Sequence, residues 1–227
     1  MIDLKPLDSL YDNMYKDVSD YLLARNYTEK DIENLSPFKS QIGGEYPSEA
    51  HKGMVFYGRA TNGWDEDNHE TLKEILTGQR YRPFINLIYW VGWTYYGDSY
   101  YDKIVWSNIC KIAPDGGNPS GTLWDAQYPH MVKIIKKEIE ILSPAVVVLV
   151  TGNAASEHWD ASFFEAFPNL HEIESITWGL EKECKATLYS DGNLNVIVTD
   201  RPESRPIEEH ANAITSLIEG KQLDKQL

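Results

Sequence analysis

Four short apolar runs in this chain break off abruptly into polar residues, Gly or Pro. They are Met54 to Tyr57 before Gly58, Ile104 to Ile109 ahead of Lys111 and Pro114, Ala145 to Val150 before Gly152, and Asn195 to Thr199 before Arg201-Pro202. Continuous apolar runs of this length are the pattern of parallel strands buried on both faces. Between them the period changes to that of helices. Leu7, Tyr11, Met14, Val18, Tyr21 and Leu22 fall on one face and predict a helix from about 7 to 25. Phe84, Leu87, Ile88 and Val91 predict a second, starting near Pro83 and running through Trp90, Trp93, Tyr95 and Tyr96 to Gly97. Tyr128, Met131, Ile135, Ile139 and Leu142 predict a third from about Trp124, with Lys133, Lys136 and Lys137 outward and Ser143-Pro144 as its stop.

Shorter signals fill the gaps. Residues 34–51 hold two prolines and the Gly43-Gly44 pair and read as a loop. Asp67 with Glu70 reads as a capping box opening a helix through Leu76, stopped by Gly78. Phe163, Phe164 and Phe167 predict a short helix. Ala186 to Tyr189, the Asp191-Gly192 turn and Asn195 to Asp200 predict a hairpin. A last helix has Pro206 in its first turn and Gly220 past its end, and residues 221–227 read as a frayed tail. The alternation predicts a three-layer α/β/α fold around a central, mainly parallel sheet. It is read as one domain over 1–227, with a helix and loop in 1–50 and the core in 51–220.

Composition narrows the classes. At 227 residues with 42% hydrophobic and 25% charged content, the chain is of globular type and large enough to bury a core. Its longest apolar run is strand-sized, well short of the roughly 20 residues a membrane helix needs. The Met-Ile-Asp-Leu-Lys-Pro start lacks the pattern of a secretory signal, so a cytoplasmic location without membrane partners is expected. Cys110 and Cys184 are too few for a disulfide framework or a four-cysteine cluster. None of the six histidines falls at His-x-x-x-His spacing, so neither a metal nor another cofactor is expected. The net charge of −14 disfavours general binding of a nucleic-acid backbone.

Open α/β sheets bind ligands beyond the carboxyl ends of their strands, and this is where the candidate chemistry lies. Arg59, Arg201 and Arg205 all fall at or just after predicted strand ends, either by chance or around a shared anion pocket. The chain has no Gly-x-x-x-x-Gly-Lys-Ser/Thr loop, no Gly-x-Gly-x-x-Gly and no Gly-x-Ser-x-Gly elbow. The glycine-rich stretch from Gly116 to Gly121 reads as a surface loop whose length also suits a lid.

The order and chemistry of the four strand ends resemble the uracil-DNA glycosylase superfamily, over roughly Lys52 to Ser216. The first motif matches Tyr57-Gly58-Arg59-Ala60-Thr61-Asn62-Gly63-Trp64, and the second Trp106-Ser107-Asn108 with Lys111 and Pro114. The third matches Leu149-Val150-Thr151-Gly152 with Asn153, and the last Arg201-Pro202-Glu203-Ser204 with Arg205. The resemblance implies a uracil-DNA glycosylase-like fold and a ligand site over these loops. Asn108 would read a base, Arg201 would stabilise a leaving anion, and Asp65 or Asp200 would activate water. Two departures weaken the implied reaction. Ala60 stands where the family commonly has a water-positioning carboxylate or asparagine, and Arg201 stands in place of its catalytic histidine.

Each residue also has a plainer reading. Asn108 suits a strand end whose backbone groups it satisfies, Trp64 a core cap, Arg59 a surface ion pair, and the Trp90 to Tyr96 run ordinary helix packing. Two functions are therefore carried forward. One is a divergent glycosylase-like protein that binds a nucleobase, nucleotide or damaged nucleic acid, with N-glycosidic hydrolysis weak at best. The other is a non-catalytic binding or interaction protein that keeps the fold.

Overall fold

The structure, a computed structural model, describes residues 2–60, 71–79, 81–114, 116–152, 158–179 and 183–221. The elements in chain order begin with α1 (Lys5–Leu23), α2 (Glu29–Glu33), β1 (Leu35–Pro37), β2 (Gln41–Ile42), β3 (Met54–Gly58), α3 (Leu72–Gly78) and α4 (Pro83–Tyr96). After a 3-10 turn at Gly97–Ser99 come α5 (Tyr100–Lys103), β4 (Ile104–Asn108), β5 (Ile112–Pro114), α6 (Gly121–Leu142), β6 (Val146–Leu149) and α7 (Ala161–Ala166). The chain closes with β7 (His171–Trp178), β8 (Cys184–Ser190), β9 (Asn195–Thr199) and α8 (Ile207–Gly220).

Seven strands form one mixed sheet in the order β2-β4-β3-β6-β9-β8-β7. The four predicted apolar runs are its centre, and β4, β3, β6 and β9 are mutually parallel. Their side chains alternate between two cores. Met54, Phe56, Trp106, Val148 and Ile197 pack toward α3, α4 and α8. Val55, Tyr57, Val105, Leu149 and Val198 pack toward α6 and α7. Burial on both faces is why these strands read as unbroken apolar runs. A third apolar cluster lies outside this sandwich, where Leu7, Met14, Val18 and Leu22 of α1 meet Leu123, Ala126 and Ile134 of α6.

Antiparallel strands close both sides of the parallel centre. β2 adds to β4, while β8 adds to β9 and β7 to β8. The β8–β9 hairpin follows its predicted turn. Residues 34–51 are not a plain loop: they supply β1, which pairs with β5, and β2. The cap of α3 sits one turn later than Asp67-Glu70, whose residues lie outside those described. Thr71 Oγ1 accepts the Glu74 N–H at 3.3 Å while the Glu74 carboxylate accepts the Thr71 N–H at 2.7 Å. The long helix α6 begins at the Ser120 cap and carries Pro129 in its interior. Pro206 is the N-cap of α8 and Gly220 its last residue, each one step from its expected place. Residues 222–227 of the expected tail lie outside the described residues.

Candidate functional site

Parallel strands deliver their carboxyl ends to one edge, and β3 and β4 end there side by side, Gly58 opposite Asn108. A Cβ at Gly58 would stand 2.5 Å from Asn108 Oδ1 and 3.5 Å from Cζ of Phe84, so only glycine leaves room for the Asn108 carboxamide. Asn108 is 1% exposed and, among the described residues, its buried Nδ2 has no hydrogen-bond partner. Leaving such a group unpaired costs about 1–3 kcal/mol, so this amide is not simply a satisfied strand end. Aromatic rings stand next to it: Phe84 of α4 lies 5.9 Å from Trp106, and Phe38 lies 5.1 Å from the same indole.

Arg59, the next residue, turns to the other face. Its Nε donates to the Thr151 carbonyl at 2.6 Å, and its guanidinium stands 5.0 Å from the Trp159 ring. It borders a cleft of about 460 Å³ whose walls include Asn118, Trp124, Tyr128, His158 and Trp159. Trp124 meets Trp159 edge to face at 5.2 Å. Ala60 is half-buried against the core on this side. Gly152, in the left-handed region at φ 96°, ties β6 to β9 through its N–H to the Thr199 carbonyl.

Ser107 and Lys111, both predicted to hold ligand, serve an internal cluster instead. Lys111 Nζ lies 2.8 Å from Glu138 Oε2 and 2.7 Å from Ser107 Oγ. Tyr57 donates to Glu138 Oε2 at 2.7 Å and Tyr11 to Oε1 at 2.6 Å, with Ser40 donating to Oε1 as well. Lys111 and Glu138 are both fully buried. Burial alone would push the Glu138 carboxyl up, but the adjacent Lys111 ammonium and the hydroxyl donors hold it below the ordinary 4.5. An ammonium enclosed in this way has no route to a ligand at the sheet edge.

The predicted last motif forms its own set of contacts at the end of β9. Arg201 pairs with Glu203 at 2.5 Å and remains half-exposed. Arg205 Nη2 lies 3.1 Å from Asp200 Oδ1, its Nε donates to Cys184 Sγ at 2.9 Å, and its Nη1 donates to the Arg201 carbonyl. Asp200 Oδ2 also accepts the Lys185 N–H at 2.8 Å, so that carboxylate already has two donors. Ser204 is exposed, in the left-handed region at φ 60°. Thr61, Asn62, Trp64, Asp65 and Asn153 lie outside the described residues.

The edge therefore brings together Gly58 and Asn108 on the α4 face, and Arg59 with the aromatic cleft on the α6–α7 face. Sequence reasoning passed over Glu138, Phe84, the cleft aromatics and His210. Glu138 had a signal, being a carboxylate on the buried stripe between Ile135 and Leu142. His210 stacks on Trp178 at 4.4 Å with Nε2 2.7 Å from Thr199 Oγ1. Burial, aided by the Arg205 charge, pushes it down to about 3. Among the described residues no group of three His, Cys, Asp or Glu could hold a metal ion, and no helix is long and apolar enough to cross a membrane. Compared with known proteins, the chain matches no family model and no curated protein.

Proposed function

We propose that this chain is a divergent relative of the uracil-DNA glycosylases whose edge site takes a nucleobase through the Asn108 carboxamide. The observation that carries the reading is the buried, unpaired Nδ2 of Asn108 beside a glycine that cannot bear a side chain. An amide offers one acceptor and two donors in a plane, which is the complement of a base edge. Phe84 and Trp106 supply the aromatic surroundings such a base favours.

Base release would break the bond between C1′ and the base nitrogen, with the electron pair leaving on the base and a water oxygen bonding to C1′. Arg201 is the group to stabilise that anion, although Glu203 already neutralises part of its charge. Water activation falls to Asp65, since Asp200 is engaged by Lys185 and Arg205. Each missing or displaced group costs on the order of 10²–10³ in rate, so release from DNA is slow. The Arg201–Glu203 pair favours a second reading, in which the site binds a base without cleaving it.

The test is thermal stabilisation by free uracil, cytosine, adenine and guanine, alongside base release from uracil-containing single- and double-stranded DNA. Stabilisation by at least one base, lost in Asn108→Ala, supports the site. Its absence for every base, with no release, defeats both readings.

A further inference from the structure

Glu138 lies beneath the sheet edge, and base recognition by Asn108 gives it no part so far. We infer that Glu138 is a positioning residue for the edge site, fixing the Asn108 carboxamide by holding the ends of β3 and β4 in register, a role that rests on the base reading of that site. In the parallel ladder the pair Tyr57 and Ser107 comes one step before the pair Gly58 and Asn108. Side chains alternate along a strand, so Tyr57 and Ser107 point to α6 while Asn108 points to the α4 face. Both hydroxyls end on one carboxylate. Tyr57 donates to Glu138 Oε2 at 2.7 Å and Ser107 to Oε1 at 3.2 Å. A single side chain of α6 thus bridges the two strands at the last step before the site.

The segment after Asn108 is held from the same helix. Lys111 Nζ donates to Ser107 Oγ at 2.7 Å and to Glu138 Oε1 and Oε2 at 2.9 and 2.8 Å, which closes a bend over Asn108, Ile109 and Cys110. Gln127, nearer the start of α6, accepts the Lys111 and Ile112 N–H groups on its Oε1, each at 3.0 Å, and donates to the Ile112 carbonyl at 2.8 Å. Inside the bend the Ile109 and Cys110 N–H groups donate to the Gly58 and Arg59 carbonyls at 2.9 and 2.8 Å. Tyr57, Ser107, Lys111, Gln127 and Glu138 are all fully buried, so water does not compete for these bonds, and those to the charged carboxylate are the stronger kind. The site tolerates little error. Gly58 clears Asn108 Oδ1 only for want of a Cβ, and a recognition group has to be held within about 0.5 Å of its productive place. Glu138 is too enclosed to meet a ligand, so it acts through Tyr57 and Ser107. Tyr11 supplies a built-in contrast. Its hydroxyl donates to Glu138 Oε1 at 2.6 Å, but from α1, which contributes no residue to the site.

The experiment compares Tyr57→Phe, Ser107→Ala and Tyr11→Phe with the wild type, each variant deleting one hydroxyl bonded to Glu138. Hydrogen exchange is read at the Ile109 and Cys110 amides relative to the amides of β6. Calorimetry gives the Kd of whichever of uracil, cytosine, adenine and guanine the wild type binds. Tyr57→Phe and Ser107→Ala should each speed exchange at Ile109 and Cys110 about tenfold or more over β6. Both should also weaken base binding about tenfold or more. Tyr11→Phe should lower the urea midpoint as Tyr57→Phe does, yet leave both site readings within about twofold of the wild type. Glu138→Gln should exceed the hydroxyl variants in both readings, and should it fail to fold, those variants decide. A merely structural carboxylate would make Tyr57→Phe and Tyr11→Phe behave alike at the site, and that result overturns the inference. Faster exchange with unchanged base binding overturns it too. If the wild type binds no base, the base reading falls by itself. Faster exchange in Tyr57→Phe and Ser107→Ala alone then still supports Glu138 as the residue that fixes Asn108, and unchanged exchange overturns it.

Discussion

Replacing Gly58 by alanine sets a Cβ 2.5 Å from Asn108 Oδ1, and the short, buried carboxamide has little room to retreat. The expected cost is about 1–3 kcal/mol, with loss of any base-dependent stabilisation, both readable in one urea and thermal-shift series. Lys111→Met removes the ammonium from a buried carboxylate and is expected to cost about 3–5 kcal/mol by urea unfolding. Two buried groups also set a pH profile. Glu138 is held below 4.5 in the fold, so its stabilisation is present above that pH and is lost as pH falls through the lower folded value. His210, ordinarily near 6.5 and about 3 in the fold, acts over a higher window. Below pH 6.5 the unfolded chain takes up a proton that the fold refuses, so stability falls by about 1.4 kcal/mol per pH unit toward 3. His210→Phe should flatten that stretch of the profile, and an unchanged slope would exclude the assignment. At this scale Asn108 and Gly58 were legible because strand ends follow a simple rule. Lys111 was not, because its partner Glu138 lies 27 positions on, in another element.

Among the elements, α3 depends strongly on its N-terminal cap. It has only seven residues, and Thr71 and Glu74 exchange backbone hydrogen bonds at its start. Thr71→Ala is expected to cost about 1 kcal/mol, measured as a lower urea midpoint at unchanged slope. Sequence reasoning placed the cap at Asp67-Glu70 and passed over Thr71-Glu74, which has the same spacing four residues on. The four central strands were readable from burial on both faces. β7 was not, because a bulge between Glu172 and Glu174 shifts Ile173 out of step with Ile176 and Trp178 and breaks the alternation. β1 and β2 are three and two residues long, too short to leave a period among the prolines and glycines around them.

For the molecule as a whole, charge and layering act together. A net charge of −14 repels itself most at low ionic strength, where screening is weakest. Raising salt from about 0.02 to 0.3 M should therefore raise the melting temperature, and a flat or falling response would show that local pairs dominate. The layered α/β plan was legible from alternating strand and helix periods. The place of α1 was not. Its apolar stripe announced a buried face, but the surface receiving it, on the outside of α6, belongs to residues more than 100 positions away.

That distance gives the Tyr11–Glu138 hydrogen bond a meaning in time. The two residues are 127 positions apart, so a growing chain displays the apolar face of α1 long before its receptor exists. At about 5–20 residues per second, the wait is on the order of ten seconds. Helix α1 can thus dock only after β3, β4 and α6 have been made. Ribosome-bound chains stopped short of α6 should expose α1 to protease, and chains long enough to release α6 should protect it.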